Sequence, residues 1–329
     1  MRPLSKRRTF LGLAACTGLL LFASSASSNA EYPSKPIRFI VPAPPGGGTD
    51  VVTRQIANAL GSSLQWTMVI ENLPGAGGNI GLERVAKAPK DGYTIGMGES
   101  SNLTVNQYIY KNIPFVIDRD LTPVSLIAKV PLVLVVSAKS PYRSVADLVT
   151  AAKSRSLMFA SSGNGTLAHV VGELWKRRAG LDMIHVPYRG AAPAMTDLSG
   201  GQTDLFFASI TAALPMLQAG LIRALAVTST ERAPALSDIP TMSEAGYKDI
   251  EAAVIFGVVA PTGTPATLIA KLNHEIAHSL QQPGLRKSLL ELGAVPDSLG
   301  GSVETFAAVL KEDRLKWSRV VKESGATVD

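Results

Sequence analysis

The stretch "IRFIVPAPPGGGTDVV", residues 37–52, decides how the chain is to be read. An apolar, β-branched run (Ile37, Phe39, Ile40, Val41) stops at prolines and three glycines, and Thr49 and Asp50 open a helical pattern. The order is strand, stripped-down turn, helix N-terminus. Such a turn brings bare backbone N–H groups close to something negative. A nucleotide phosphate, a reacting substrate and a ligand that is merely carried all fit that much.

Working outward, the same alternation recurs along the chain and favours an α/β architecture with mostly parallel sheets. Strands are expected near 37–42, 67–71, 94–98, 132–137, 157–161, 183–187, 204–208, 223–228 and 252–259. Helices are expected near 49–60, 78–88, 102–109, 144–153, 165–179, 191–199 and 211–219. From Pro265 the pattern changes to three amphipathic helices with no strand between them. The apolar crossings "AKVPLVLVV" (128–136) and "DIEAAVIFGVVAP" (249–261) predict a hinge of two strands between two lobes. The expected division is residues 31–132 plus 253–329 for lobe 1 and 133–252 for lobe 2, with the ligand in the cleft between them.

The first thirty residues read as an export signal. Arg2, Lys6, Arg7 and Arg8 precede the apolar "FLGLAACTGLLLFA" (10–23), and Ser28 and Ala30 fit the −3 and −1 cleavage positions. "RRTFL" (7–11) resembles a twin-arginine signal, and "LAAC" (13–16) resembles a lipoprotein box ending at Cys16. Cleavage after Ala30 removes Cys16, the chain's one cysteine, and with it disulfide and thiol chemistry. It also removes four basic residues and no acidic one, leaving 28 basic against 26 acidic side chains, a balance of +2. No basic stripe interleaved with aromatics points to nucleic acid.

Catalytic motifs are sparse. "PPGGGTD" lacks the lysine of a phosphate loop, and Asp50 would repel a phosphate. "GAGGNIG" (75–81) has dinucleotide-like glycine spacing, but Pro74 precedes it. No Gly-x-Ser-x-Gly elbow anchors a triad. His274 and His278 have metal-like i, i+4 spacing without the zinc-protease pattern, and a solvated face of the tail helix accounts for them better. The expectation is therefore no catalysis, no cofactor and no metal. Four loops at strand C-termini remain: 43–50, 98–104 with Ser100 and Ser101, 160–169, and 186–194. Their backbone N–H groups and hydroxyls suit a carboxylate, which accepts about four hydrogen bonds.

An ordered set of segments carries a family resemblance. "YPSKPIRFIVPAPPGGGTDVVTRQIANAL", "ENLPGAGGNIGLERVAKAPKDGYTIGMG", "SSGNGTLAHVVGELW", "HVPYRGAAPAMTDLSGGQTDLFF", "IRALAVTS" and "APTGTP" resemble the extracytoplasmic receptors of tripartite tricarboxylate transporters, the Bug family. The resemblance implies a two-lobe type II periplasmic-binding-protein fold with a helical C-terminal tail. It implies a monomer that closes on a small organic acid and delivers it to integral membrane permease subunits. A periplasmic sensor feeding a two-component system is the alternative. The family's first binding loop falls on Ala43, Gly46, Gly47 and Thr49. Its second-lobe anchor falls on Ser161, Asn164, Gly165, Thr166 and His169, and its Pro-Tyr-[Lys/Arg]-Gly turn on Tyr188 and Gly190.

Three departures fall where selectivity is set. Gly98-Glu99-Ser100-Ser101 stands in place of a Gly-Thr-Thr-like turn. Ala208-Ser209 replaces an Asp-Asn-like pair, and Ile255 replaces a common Trp. Two local expectations follow. Gly47 is read as a residue of positive φ or of close approach to the ligand. Thr166 is expected to donate its hydroxyl to a ligand oxygen, with His169 one turn on as a second donor. In the competing account Thr166 caps its helix and His169 packs on Trp175 or a neighbour.

Overall fold

The run Ile37–Val41 forms strand β1 with Ile37, Phe39, Ile40 and Val41 wholly buried, because both faces of the strand are covered. Ile37 and Phe39 face a core that includes Val52 and Ile56, while Ile40 faces a second core with Leu82 and Val85. The computed structural model describes residues 32–297 and 301–328. The export signal, its cleavage site, Cys16 and the twin-arginine and lipoprotein readings lie outside the described residues.

After β1 come α1 (Gly48–Leu64), β2 (Met68–Asn72), α2 (Asn79–Ala86) and β3 (Thr94–Glu99). A short α3 (Ile117–Asp120) leads into β4 (Leu121–Ser137). Then follow α4 (Val145–Ala152), β5 (Leu157–Ser161), α5 (Leu167–Ala179), β6 (Met183–Pro187) and α6 (Ala191–Gly200). β7 (Leu205–Ser209), α7 (Ile210–Gln218), β8 (Ile222–Val227) and β9 (Ala253–Pro261) complete the alternation. The tail holds α8 (Ala266–Gln281), α9 (Pro283–Glu291), β10 (Val295–Pro296) and α10 (Val303–Ser324).

The strand order is β2-β1-β3-β9-β4-β7-β5-β6, with β8 and β10 also on β4. β1 pairs in parallel with β2 and β3, and β5 with β6 and β7. The two long strands pair antiparallel to everything they touch. The sheets are thus mixed: parallel where a helix crosses over, antiparallel where the chain passes between halves.

β4 serves both halves. Leu121–Pro131 pairs with β9, and Leu132–Ser137 with β7 and β8. Thr228, fully buried, stands at the change-over. Its hydroxyl accepts from the Leu132 N–H at 3.0 Å and donates to the Ala252 carbonyl at 2.6 Å. One side chain therefore ties both crossing segments together.

Several elements differ from expectation. The strand expected at 132–137 begins eleven residues earlier, because its first half is paired by the return strand β9 rather than by a neighbour in sequence. The helix expected at 102–109 is a π turn (Ser101–Val105) running into a 3₁₀ turn (Asn106–Tyr108). Thr104 bonds its hydroxyl to the Ser100 carbonyl and to Asp313 of α10, which disturbs the regular ladder. The helix expected from 165 starts at Leu167, since Gly165 has φ +77° and Thr166 is extended. The tail is not free of strands: Val295 and Pro296 add β10 to the β4 edge.

Candidate functional site

A cavity of about 700 Å³ opens at the C-terminal ends of the parallel strands, where open α/β sheets place their ligands. Ala43 and Gly47 reach it from the β1–α1 loop, Thr49 from the first turn of α1, and Asn164 and Thr166 from the β5–α5 loop. Tyr188 and Gly190 reach it between β6 and α6, and Ser209 at the start of α7. Ser101 contributes from the turn after β3. Leu132, Phe207, Val254 and Phe256 form its apolar floor.

Five expected residues stand behind this wall and shape it. Gly46 has φ +78° and donates its N–H to Asp50 Oδ2 at 3.0 Å. Asp50 also accepts from Arg54 at 2.9 Å and Asn72 at 2.9 Å, and Asn72 bonds the Ala43 carbonyl. Burial pushes the Asp50 carboxyl up, but the bonds from Arg54, Gly46 and Asn72 outweigh it and hold it below the usual range. Asp50 is therefore the brace of the first loop. Ser100 is buried, and its hydroxyl accepts the Ile255 N–H at 2.9 Å. Gly165 gives its N–H to His169 Nδ1 at 3.3 Å.

Ser161 and His169 belong to one buried cluster. Ser161 Oγ lies 2.6 Å from His185 Nε2 and accepts the Gly163 N–H at 3.1 Å. The His185 ring is sandwiched between Phe159 (4.9 Å) and His169 (4.0 Å). A serine that close to a histidine has nucleophile–base spacing. Here the hydroxyl is fully buried, does not line the cavity and is occupied by Gly163, so the pair props the loop.

Of the two accounts of Thr166 and His169, only the packing of His169 on a neighbour matches what is found. The Thr166 hydroxyl donates to the Gly163 carbonyl at 2.7 Å and makes no cap bond to its helix. With its proton spent there, it offers the cavity an acceptor rather than a donor. His169 packs on His185, while Trp175 stands edge-on to Phe207 and Tyr247. Gly47 has an ordinary φ of −76°, and Gly46 takes the left-handed conformation beside it.

Burial of the two imidazoles predicts an acid-labile loop. Burial lowers His169 to about 4. Burial, and then the charges of His169 and Lys176, lower His185 to about 3. An unfolded histidine titrates near 6.5, so between roughly pH 6.5 and 4 the unfolded chain binds more protons and stability falls as the pH drops. The melting temperature should decline across that window more steeply in the parent than in a His169→Gln, His185→Gln variant. Equal slopes would show that the pair contributes nothing.

Sequence reasoning set aside one segment that the fold brings in. Pro74, Gly75, Ala76, Gly77 and Gly78 line the cavity from the β2–α2 loop, and the last four all have positive φ. The glycine run after a strand and before a helix was the available signal. Tyr110 and Arg189 were also passed over. Tyr110 donates its hydroxyl to the Asn164 carbonyl at 2.9 Å, joining the two halves of the chain across the cavity. Arg189 is exposed at the rim and makes no ion pair among the described residues.

Glu99 lies on the wall. Its carboxylate accepts the Thr49 hydroxyl at 2.5 Å and a hydrogen bond from Ser101. Burial raises its pKa against the pull of those two bonds. Among the described residues no group of three His, Cys, Asp or Glu is placed to hold a metal, and His274 and His278 are exposed on α8. No described helix is long and apolar enough to cross a membrane.

The tripartite tricarboxylate transporter family receptor pattern matches residues 52–326. The chain belongs to that family. BugT of Bordetella pertussis (strain Tohama I) is 37% identical to this receptor over 298 residues, 90% of this chain and 91% of BugT. An R. palustris protein solved with adipate superposes with a TM-score of 0.87 at 37% identity, covering 90% of this chain and 100% of its own. MatC from Rhodopseudomonas palustris, solved with bound malate, gives 0.83 at 31% identity, covering 88% and 100%. The receptor thus has the periplasmic-binding-protein architecture, α/β with a helical C-terminal tail.

Proposed function

We propose that this chain is an exported receptor that closes on a small carboxylate and delivers it to the membrane permease subunits of a tripartite transporter. One observation carries the reading. The N-cap residues of four helices, Gly47 (α1), Thr166 (α5), Gly190 (α6) and Ser209 (α7), all line the one cavity, and none has a side-chain cap bond. Each helix start favours an anion by about 0.3–1 kcal/mol, and more when partly buried. Relatives solved with adipate and malate support the same class of ligand.

In this proposal residues 31–132 with 253–329 form one lobe and 133–252 the other. The crossings pinned by Thr228 act as the hinge, and closure traps the acid between the loops. The leader places the protein in the periplasm, and the binding residues are those that line the cavity.

The test is thermal stability of the mature protein against a carboxylate panel, with and without chelator. An acid at 100 times its Kd should add about 2.7 kcal/mol. A melting point lowered by EDTA and unmoved by every acid would overturn the proposal. Gly47→Val should abolish that stabilisation while the unliganded protein melts near the parent. A Cβ there meets only the Pro44 carbonyl, at an ordinary 3.6 Å, so the added side chain fills cavity rather than core. Undiminished affinity would reduce the loop to a turn.

A further inference from the structure

The cavity is lined by one cation and one anion among the described residues, Arg189 and Glu99. They do not pair with each other. Arg189 sits exposed at the rim beside the α6 start, whereas among the described residues the Glu99 carboxylate has no cationic partner and is bonded by the hydroxyls of Thr49 and Ser101. Those hydroxyls connect it to two helix starts. Thr49 is in the first turn of α1 and donates to Glu99 directly. Ser101 accepts the N–H of Leu167, the first residue of α5, at 3.2 Å and donates on to Glu99.

The chain's own carboxylate therefore already holds donors of the α1 and α5 starts, the ones a second ligand carboxylate would need. A dianionic ligand brought there adds negative charge beside a carboxyl whose ionised form burial already disfavours, and like charges repel strongly in such a wall. A ligand nitrogen carrying a positive charge meets an acceptor with free lone pairs and no competing cation. The starts of α6 and α7, with Arg189, remain available for one carboxylate.

Resting on the carboxylate reading above, we infer that Glu99 selects the ligand: the site takes a compound with one carboxylate and one cationic nitrogen, and discriminates against dicarboxylates. Glu99 is the specificity residue, and Thr49 and Ser101 aim it.

The test uses calorimetry on the mature protein and on Glu99→Gln, which keeps the shape and the acceptor for Thr49 and removes the charge. The probes are matched sets: pentanoate, glutarate, glutamate and 5-aminopentanoate, then hexanoate, adipate, 2-aminoadipate and 6-aminohexanoate. At least one amino acid should bind the parent roughly tenfold tighter than its nitrogen-free partner, and Glu99→Gln should erase that ratio while strengthening dicarboxylate binding. The inference falls if a nitrogen-free dicarboxylate, glutarate or adipate, is the tightest ligand of the parent, or if the preference survives in Glu99→Gln. Butylamine and pentylamine separate the two readings. If they bind as well as the amino acids, the carboxylate reading fails while the role of Glu99 stands. Failure of the whole panel with both proteins overturns both.

Discussion

Gly165→Ala will hold the receptor open, with ligand affinity reduced about a hundredfold and the fold intact. Gly165 has φ +77°, and an alanine there costs about 1–2 kcal/mol of backbone strain. The larger effect is steric. A Cβ would stand 2.5 Å from the Tyr110 ring and 2.9 Å from Asn106 Oδ1. Both come from the segment after β3, in the other half of the chain, and no atom of Gly165's own half is among these nearest contacts. Separating the halves relieves the clash, and unfolding either is unnecessary. If the closed form falls to about one part in a hundred, apparent affinity falls by the same factor. Calorimetry should show that loss, and small-angle scattering should show a particle that ligand no longer compacts. Adding Tyr110→Ala should restore much of the affinity. Closure and affinity like the parent's would remove the Gly165 contact from the account.

How much of this was legible beforehand depended on how local the determinant is. The buried parallel strands were readable because apolar runs ending in glycine need only their own residues to be recognised. The long strand β4 was not. Its first half, "LTPVSLIAKVP", contains two prolines and Lys129, and it is a strand because β9 returns more than a hundred residues later to pair with it. The turn after β3 was misread for a similar reason: Asp313 of α10 reaches in from 209 residues away and bonds Thr104. Burial raises the Asp313 carboxyl, and bonds from Thr104, Trp317 and Ser100 partly offset that.

At the site, the loops were legible and the direction of each side chain was not. "SSGNGT" identified a tight turn before a helix, but whether Thr166 faces its cap, its neighbour's carbonyl or the ligand is a matter of one rotamer. His169 shows the limit more clearly. Its partner His185 lies sixteen residues on, at the centre of the next strand, and only the fold stacks the two rings. Glu99 was visible as an added charge near the cleft. What it does there, receiving Thr49 and Ser101, required the geometry.

Gly257→Ala will destabilise the fold by about 3 kcal/mol and lower the melting temperature by roughly 6–12 °C. Gly257 lies mid-way along β9, paired to Gly98 of β3 on one side and Leu126 of β4 on the other. Ile255 and Val259, two residues away in each direction, share its face and pack in the second core with Phe306 of α10. Phe306 is fully buried over the gap that the glycine leaves. A Cβ at Gly257 would stand 2.0 Å from Cζ of that ring and 2.5 Å from both Cε atoms. The ring is rigid and enclosed, so it cannot swing clear as the end of a lysine would. The strand is held on both edges, so the backbone cannot yield either. Restricting the unfolded chain returns about 0.4–1 kcal/mol for a glycine-to-alanine change, too little to offset the overlap. Phe306→Leu alone should also destabilise, by loss of packing. Combined with Gly257→Ala it should cost less than the sum of the two, with a coupling of about 1–3 kcal/mol, because the smaller side chain vacates the space the methyl needs. Denaturant unfolding of the four proteins measures the cycle. Strict additivity, or a Gly257→Ala protein as stable as the parent, would mean that α10 is not seated on β9 through this contact.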